Sequence, residues 1–170
     1  MSPRTVRLPR WPLLLLLCAL LAGCGALSTL ERFFYSSRSE LEQLRIVAEP
    51  DANQDTATAI DLVYVYNKDA LPTLPQSGPE WFAKKQAIVA AQPGNFVVVS
   101  LEVPPGATVP APLPKRSAQA VGALLYANYL AKDGQFPINL SAYTSAEVRL
   151  KARRIDYLDL TASKPGSANP

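Results

Sequence analysis

The chain has no histidine among its 170 residues. That removes the commonest general base, the commonest metal ligand and every Ser-His-Asp or Cys-His nucleophile arrangement. Cysteine is nearly as scarce: Cys18 and Cys24 are the only two, so residues 25–170 hold no internal disulfide. Glycine signatures are missing too. There is no G-x-S-x-G nucleophile elbow, no Walker-type phosphate loop and no dinucleotide-binding fingerprint. Nor does one charge dominate once the first 23 residues are set aside. Arg4, Arg7 and Arg10 fall in that acid-free stretch, leaving 14 basic against 14 acidic residues in the remaining 147. Formal neutrality argues against nucleic-acid binding and against electrostatic attachment to acidic lipid. Together these absences describe a protein that is not an enzyme and uses no metal, cofactor or small-molecule substrate.

What is present begins at the N-terminus. Three arginines precede an apolar run from Trp11 to Leu20, too short to span a bilayer comfortably and followed by small residues. Leu21-Ala22-Gly23-Cys24 closes the stretch and resembles the lipobox of bacterial lipoproteins. The resemblance implies a signal peptide over 1–23 and a lipid-modified Cys24 as first residue of the mature chain. Gly25 and Ala26 follow without an aspartate, which in exported lipoproteins implies transfer to the periplasmic face of the outer membrane. Several acyl chains on one cysteine give the stable anchoring that a single chain cannot.

Residues 24–43 read as a lipidated tether with one or two helical turns. Leu27, Leu30, Phe34, Leu41 and Leu44 recur at helical spacings, and Ser28 and Ser39 stand at capping-box distance from Glu31 and Glu42. From residue 44 to 160 the period changes to that of strands. Leu44–Glu49 is a short strand, then Pro50–Ala59 a polar loop of hairpin-plus length. Ile60–Asn67 alternates, with Ile60, Leu62, Tyr64 and Tyr66 on one face and Asp61, Val63 and Val65 on the other. Phe96–Val103 is β-rich between strong turn signals. Ala118–Leu130 has the alanine content and length of a helix, but it is apolar on both faces, as in a central strand, and Asp133-Gly134 ends it. Glu147–Leu160 reads as one long final strand whose phase slips, implying a bulge near Arg153-Arg154, with its cations guarding an edge.

One segment breaks the β pattern. Ser77-Gly78-Pro79-Glu80 has an N-cap serine, an early proline and a glutamate at the capping position. A helix of about 12 residues follows, with Trp81 and Phe82 packed in the core, until Pro93-Gly94 stops it. The proline-rich 104–116 stretch has no convincing element, and 161–170 reads as a disordered tail. Several short strands with one helical excursion predict a mainly β fold, a two-sheet sandwich.

Few constellations carry chemistry. Asp51-Ala52-Asn53-Gln54-Asp55 matches the opening of a calcium loop, but Thr56 stands in place of the turn glycine and Leu62 in place of the bidentate glutamate. Asp, Asn and Thr also suit any exposed turn. Asp156 and Asp159 fall on opposite faces of a strand and make a poor acid–base pair. Tyr64, Tyr66, Tyr126 and Tyr129 most simply complete the core or its rim.

The lipobox, the Leu44–Glu49 strand, the Asp/Asn-rich loop, Ile60-Asp61-Leu62-Val63-Tyr64-Val65-Tyr66, the aromatic helical excursion and the strand with Tyr126 and Tyr129 form a layout. Over roughly 20–160 it resembles TssJ, the outer-membrane lipoprotein family of the type VI secretion membrane complex. It departs from that family at Val63 and Asn67-Lys68, where the family carries an arginine and Gln-Leu, and over Leu71–Ala83. The resemblance implies a transthyretin-like two-sheet sandwich with one inserted helix, and a structural role. It implies that the protein tethers the periplasmic part of the inner-membrane subunit TssM to the outer membrane. By position, the family's TssM-binding loop falls on Pro50–Ala59, making Asp51, Asn53, Gln54 and Asp55 the candidate contacts. A pilotin-type lipoprotein chaperone, which carries a secretin segment to the outer membrane, is the alternative. It needs an apolar groove or free sheet edge.

Overall fold

The computed structural model describes residues 38–160. The expected signal peptide over 1–23, Cys24, most of the expected tether and the expected disordered tail over 161–170 lie outside the described residues.

Eight strands make two four-stranded sheets. The first has the order β4-β1-β7-β8, from β1 (Gln43–Ala48), β4 (Thr108–Pro110), β7 (Ser145–Leu150) and β8 (Ile155–Asp159). The second has the order β3-β2-β5-β6, from β2 (Thr58–Val65), β3 (Phe96–Val103), β5 (Gly122–Ala127) and β6 (Ile138–Asn139). The expected two-sheet architecture is therefore present. β1 and β7 run parallel, from Gln43 opposite Ser145 to Ala48 opposite Leu150, and the other pairings are antiparallel.

Alternation along β2 explains the layering. Ile60, Leu62 and Tyr64 face the first sheet and join Leu44, Ile46, Leu125, Val148 and Leu150 in the main core. Val63 and Val65 face the other way and pack with Trp81, Leu74 and Tyr126 in a second core under the one long helix among the described residues, α1 (Gly78–Ala91). A strand covered on both faces reads as apolar on both parities. β5 does the same, with Ala123, Leu125 and Ala127 inward and Tyr126 toward the helix.

α1 starts where the sequence places it. The Ser77 Oγ accepts from the Glu80 N–H at 3.4 Å, and Pro79 occupies the first turn. Gly78 is required there, because a Cβ would lie 2.1 Å from the Ala127 carbonyl oxygen. Trp81 is fully buried and stacks on Tyr126, ring centroids 4.9 Å apart. Truncating such a residue costs about 3–5 kcal/mol.

The structure corrects the sequence reading at several points. The stretch 38–42 has no helical turn: Ser39 Oγ accepts from the Leu41 N–H just before β1, and Leu41 and Leu44 enter the core from extended backbone. The polar loop after β1 crosses from one sheet to the other, because β1 and β2 belong to different sheets. The proline-rich stretch contributes β4, whose Thr108–Pro110 pairs with Val47–Arg45. The final bulged strand is instead a hairpin, β7 and β8, closed where the Lys151 N–H donates to the Arg154 carbonyl at 3.0 Å. Reversal of direction, not a bulge, resets the phase. β5 is also shorter than the predicted 118–130 strand, since a 3-10 turn at Ser117–Gln119 precedes it.

Strand directions sort the loops to two ends. The chain enters beside β1 at one end, where Ser39 and Glu40 bond to Ala120 and Ser141. The β1–β2, β5–β6 and β7–β8 connections all fall at the other.

Candidate functional site

The candidate loop occupies the end of the sandwich opposite the point where the chain enters. Its single turn, Ala52–Asp55, is left-handed: Asn53, Gln54 and Asp55 have φ of 49, 58 and 60°. Side chains beyond glycine lose about 1–2 kcal/mol per residue in this region, and asparagine suffers least because it bonds locally. Backbone of this kind persists only where its surroundings over-determine it.

Those surroundings are specific. Ala52 and Asn53 are buried, and the Asn53 N–H donates to the Lys151 carbonyl at 3.0 Å. The Asn53 Oδ1 accepts from the Leu130 N–H at 2.9 Å, and its Nδ2 donates to the Asn128 carbonyl at 3.4 Å. The Thr56 N–H closes the turn on the Asn53 carbonyl. Of the four candidate contacts, then, Asp51, Gln54 and Asp55 are exposed and can meet a partner. Asn53, 1% exposed, spends its amide inside the protein and acts as the peg that holds the turn.

Tyr129 ties in the third connection. Its hydroxyl donates to the Lys151 carbonyl at 2.6 Å, linking the β5–β6 loop to the β7–β8 turn. Burial pushes this phenol up to about 12, although backbone groups of Asn53 and Lys151 pull it partly back and the Glu49 and Asp51 charges push it further. The β5–β6 loop is closed on itself as well. Gln135 Nε2 donates to the Tyr129 carbonyl at 2.8 Å, and Gly134 lies so close to the Tyr129 ring that a Cβ would come within 2.3 Å of it. This loop exposes Leu130 and Phe136.

Two buried carboxylates escaped the sequence reading. Asp61, on the helix-facing side of β2, accepts from Trp81 Nε1 and Lys85 Nζ, both at 2.8 Å, and from Ser100 Oγ at 2.6 Å. Glu147 on β7 accepts from Arg45 Nε at 2.8 Å and Arg149 Nε at 2.6 Å. The available signal for Asp61 was a lone acid in register with Val63 and Val65. Both are fully satisfied ion pairs, each serving as a structural clamp. Among the described residues no group of three or more acidic or thiol ligands could hold a metal.

The longer edge of the second sheet is β3, which among the described residues has β2 on one side and no strand on the other. Beside it α1 forms an open depression of about 410 Å³ lined by Lys85, Gln86, Val89, Ala90, Val98 and Ser100.

No protein-family model matches the chain. No curated protein sequence matches it either. Solved structures do. The type VI secretion lipoprotein TssJ1 from Pseudomonas aeruginosa superposes with a TM-score of 0.50 at 17% identity, over 68% of this chain and 92% of that one. The fold is that of the TssJ lipoproteins. Serratia marcescens Lip, a membrane-bound component of the type VI secretion system, gives 0.50 at 9% identity, over 68% of this chain and 94% of its own. The TssJ-like layout anticipated from the sequence is present as a mainly β, two-sheet sandwich with an added helix. At these identities the likeness is one of architecture.

Proposed function

We propose that this chain is a lipid-anchored structural component of a type VI secretion membrane complex. It holds the periplasmic part of a TssM-like inner-membrane subunit against the outer membrane. Its acyl chains on Cys24 grip the membrane, and its β1–β2 loop grips the subunit. The observation that carries this reading is the placement of that loop. A strained, pegged turn presents Asp51, Gln54 and Asp55 at the end of the sandwich opposite the one where the chain arrives from Cys24. The TssJ fold supports the reading, as do the lipobox-like Leu21-Ala22-Gly23-Cys24 and the absence of histidine. The role is mechanical and not catalytic.

Charge reversal, Asp51→Lys with Asp55→Lys, abolishes capture of the TssM-like periplasmic domain in a pull-down while the circular dichroism spectrum is kept. Undiminished capture sinks the loop assignment. Cys24→Ser leaves the domain folded but moves it to the soluble periplasmic fraction and stops secretion. A soluble form that supports full secretion refutes the anchor.

One observation favours a second reading, the pilotin-type chaperone: the free β3 edge beside an apolar depression is a place where an extended secretin segment could add as a strand. Binding of a secretin C-terminal peptide, lost on Val98→Lys, distinguishes it from the first reading.

A further inference from the structure

The β1–β2 loop does not stand alone at its end of the sandwich. Asn53 bonds through its side chain to Asn128 and Leu130, so the acidic turn and the start of the β5–β6 loop move as one body. That second loop exposes Leu130 at 61% and Phe136 at 71%, the two most exposed large hydrophobic residues described. Water-exposed apolar side chains scattered singly need no explanation. Two on one short loop, on a backbone stiffened by Tyr129, Gly134 and Gln135, make a built surface. Beside them Asp51 and Asp55 form no ion pair among the described residues.

We infer that the acidic turn is only half of the docking surface, and that Leu130 and Phe136 supply its apolar anchors. This rests on the function proposed above. The occupant is the same TssM-like periplasmic domain, and the chemistry it must offer follows from this face: an apolar pocket rimmed by lysine or arginine. Leu130 and Phe136 enter the pocket, where desolvation concentrates binding energy, and Asp51 and Asp55 meet the rim, where charge sets orientation and association rate. Neither loop has to reorganise, since both are held before contact.

The test is calorimetric titration of the full-length lipidated chain, in detergent, with the purified periplasmic domain. Leu130→Ser with Phe136→Ser weakens binding by about 30-fold or more, the scale of two anchor residues. Asp51→Asn with Asp55→Asn weakens it less and removes most of its dependence on salt. Phe136→Tyr, which keeps the ring, restores binding in the Leu130 background. Because both anchors are exposed, the serine variant melts at the wild-type temperature. Wild-type binding with the serine variant within twofold overturns this inference and leaves the proposed function standing. No binding by the wild type overturns both. Loss of a concentration-dependent dimer in place of partner binding assigns the anchors to a second copy of the chain and overturns the inference.

Discussion

Each sheet buries one carboxylate to about the same degree, and each does it by different means. Asp61 in the second sheet is 1% exposed because α1 lies on top of it, with Trp81 and Lys85 reaching down from the helix and Ser100 across from β3. Glu147 in the first sheet is also 1% exposed, yet no helix among the described residues covers that face. Its cover is its own counter-ions: Arg45 and Arg149, whose side chains are 53% and 44% exposed, lie over it. Equal burial therefore conceals unequal environments. The two arginines over Glu147 are about half exposed, whereas Asp61 is held from above by the fully buried Trp81 and only flanked by Lys85 and Ser100 at the open depression. A polar group counts as interior by what surrounds its partners, not by its own accessibility.

The largest expected break in the symmetry is Asp61→Ala. It strands the buried Trp81 indole N–H under the helix and takes the counter-ion from Lys85, lowering stability by about 2–3 kcal/mol, read by urea unfolding. Glu147→Gln is milder. The two arginines turn to solvent, so the loss is about 1–2 kcal/mol in the same experiment. If the two substitutions cost the same, the distinction between the sheets is wrong.

A smaller effect follows from acid. Burial alone raises the Glu147 carboxyl, but the hydrogen bonds and charges of Arg149 and Arg45 outweigh it and hold the group below its ordinary 4.5. The folded value is thus lower than the unfolded one. Its stabilisation is complete above pH 4.5 and is lost as the pH falls through the folded value. Chemical unfolding at stepped pH therefore finds the wild type and Glu147→Gln converging below pH 4.5. The smallest expected effect is with salt. Raising ionic strength shrinks the Glu147→Gln difference by a few tenths of a kcal/mol and the Asp61→Ala difference by less. Equal salt sensitivity in the two would place Asp61 in contact with water.

Legibility from sequence follows the same divide between local and distant causes. β3 was readable to the residue because turn signals flank it, and the start of α1 because Ser77, Pro79 and Glu80 are a local cap. The β7–β8 turn was not. Lys151-Ala152-Arg153-Arg154 carries no glycine, asparagine or proline, and a reversal shifts strand phase as a bulge does. β4 was hidden because its pairing with β1 depends on residues some 60 positions away in sequence. At the site, the residue types of the Asp51–Asp55 loop suggested an exposed turn, which holds for Asp51, Gln54 and Asp55. Asn53 departs from it through partners at 128 and 130, which no window around residue 53 contains. Leu130 and Phe136 were invisible for the opposite reason: an apolar residue near a strand looks like core until the fold turns it outward.

The path from residue 38 to the left-handed turn has a mechanical side. It is a single strand, β1, bonded along one edge to β4 and along the other to β7. Tension applied between a membrane attachment below and a grasped loop above runs lengthwise down β1, so its backbone bonds resist together in shear and do not unzip one at a time. Asn53, cross-bonded to Asn128, Leu130 and Lys151, passes part of that load into the second sheet and part into β7. A sandwich wired in this way behaves less like a hinge than like a rivet.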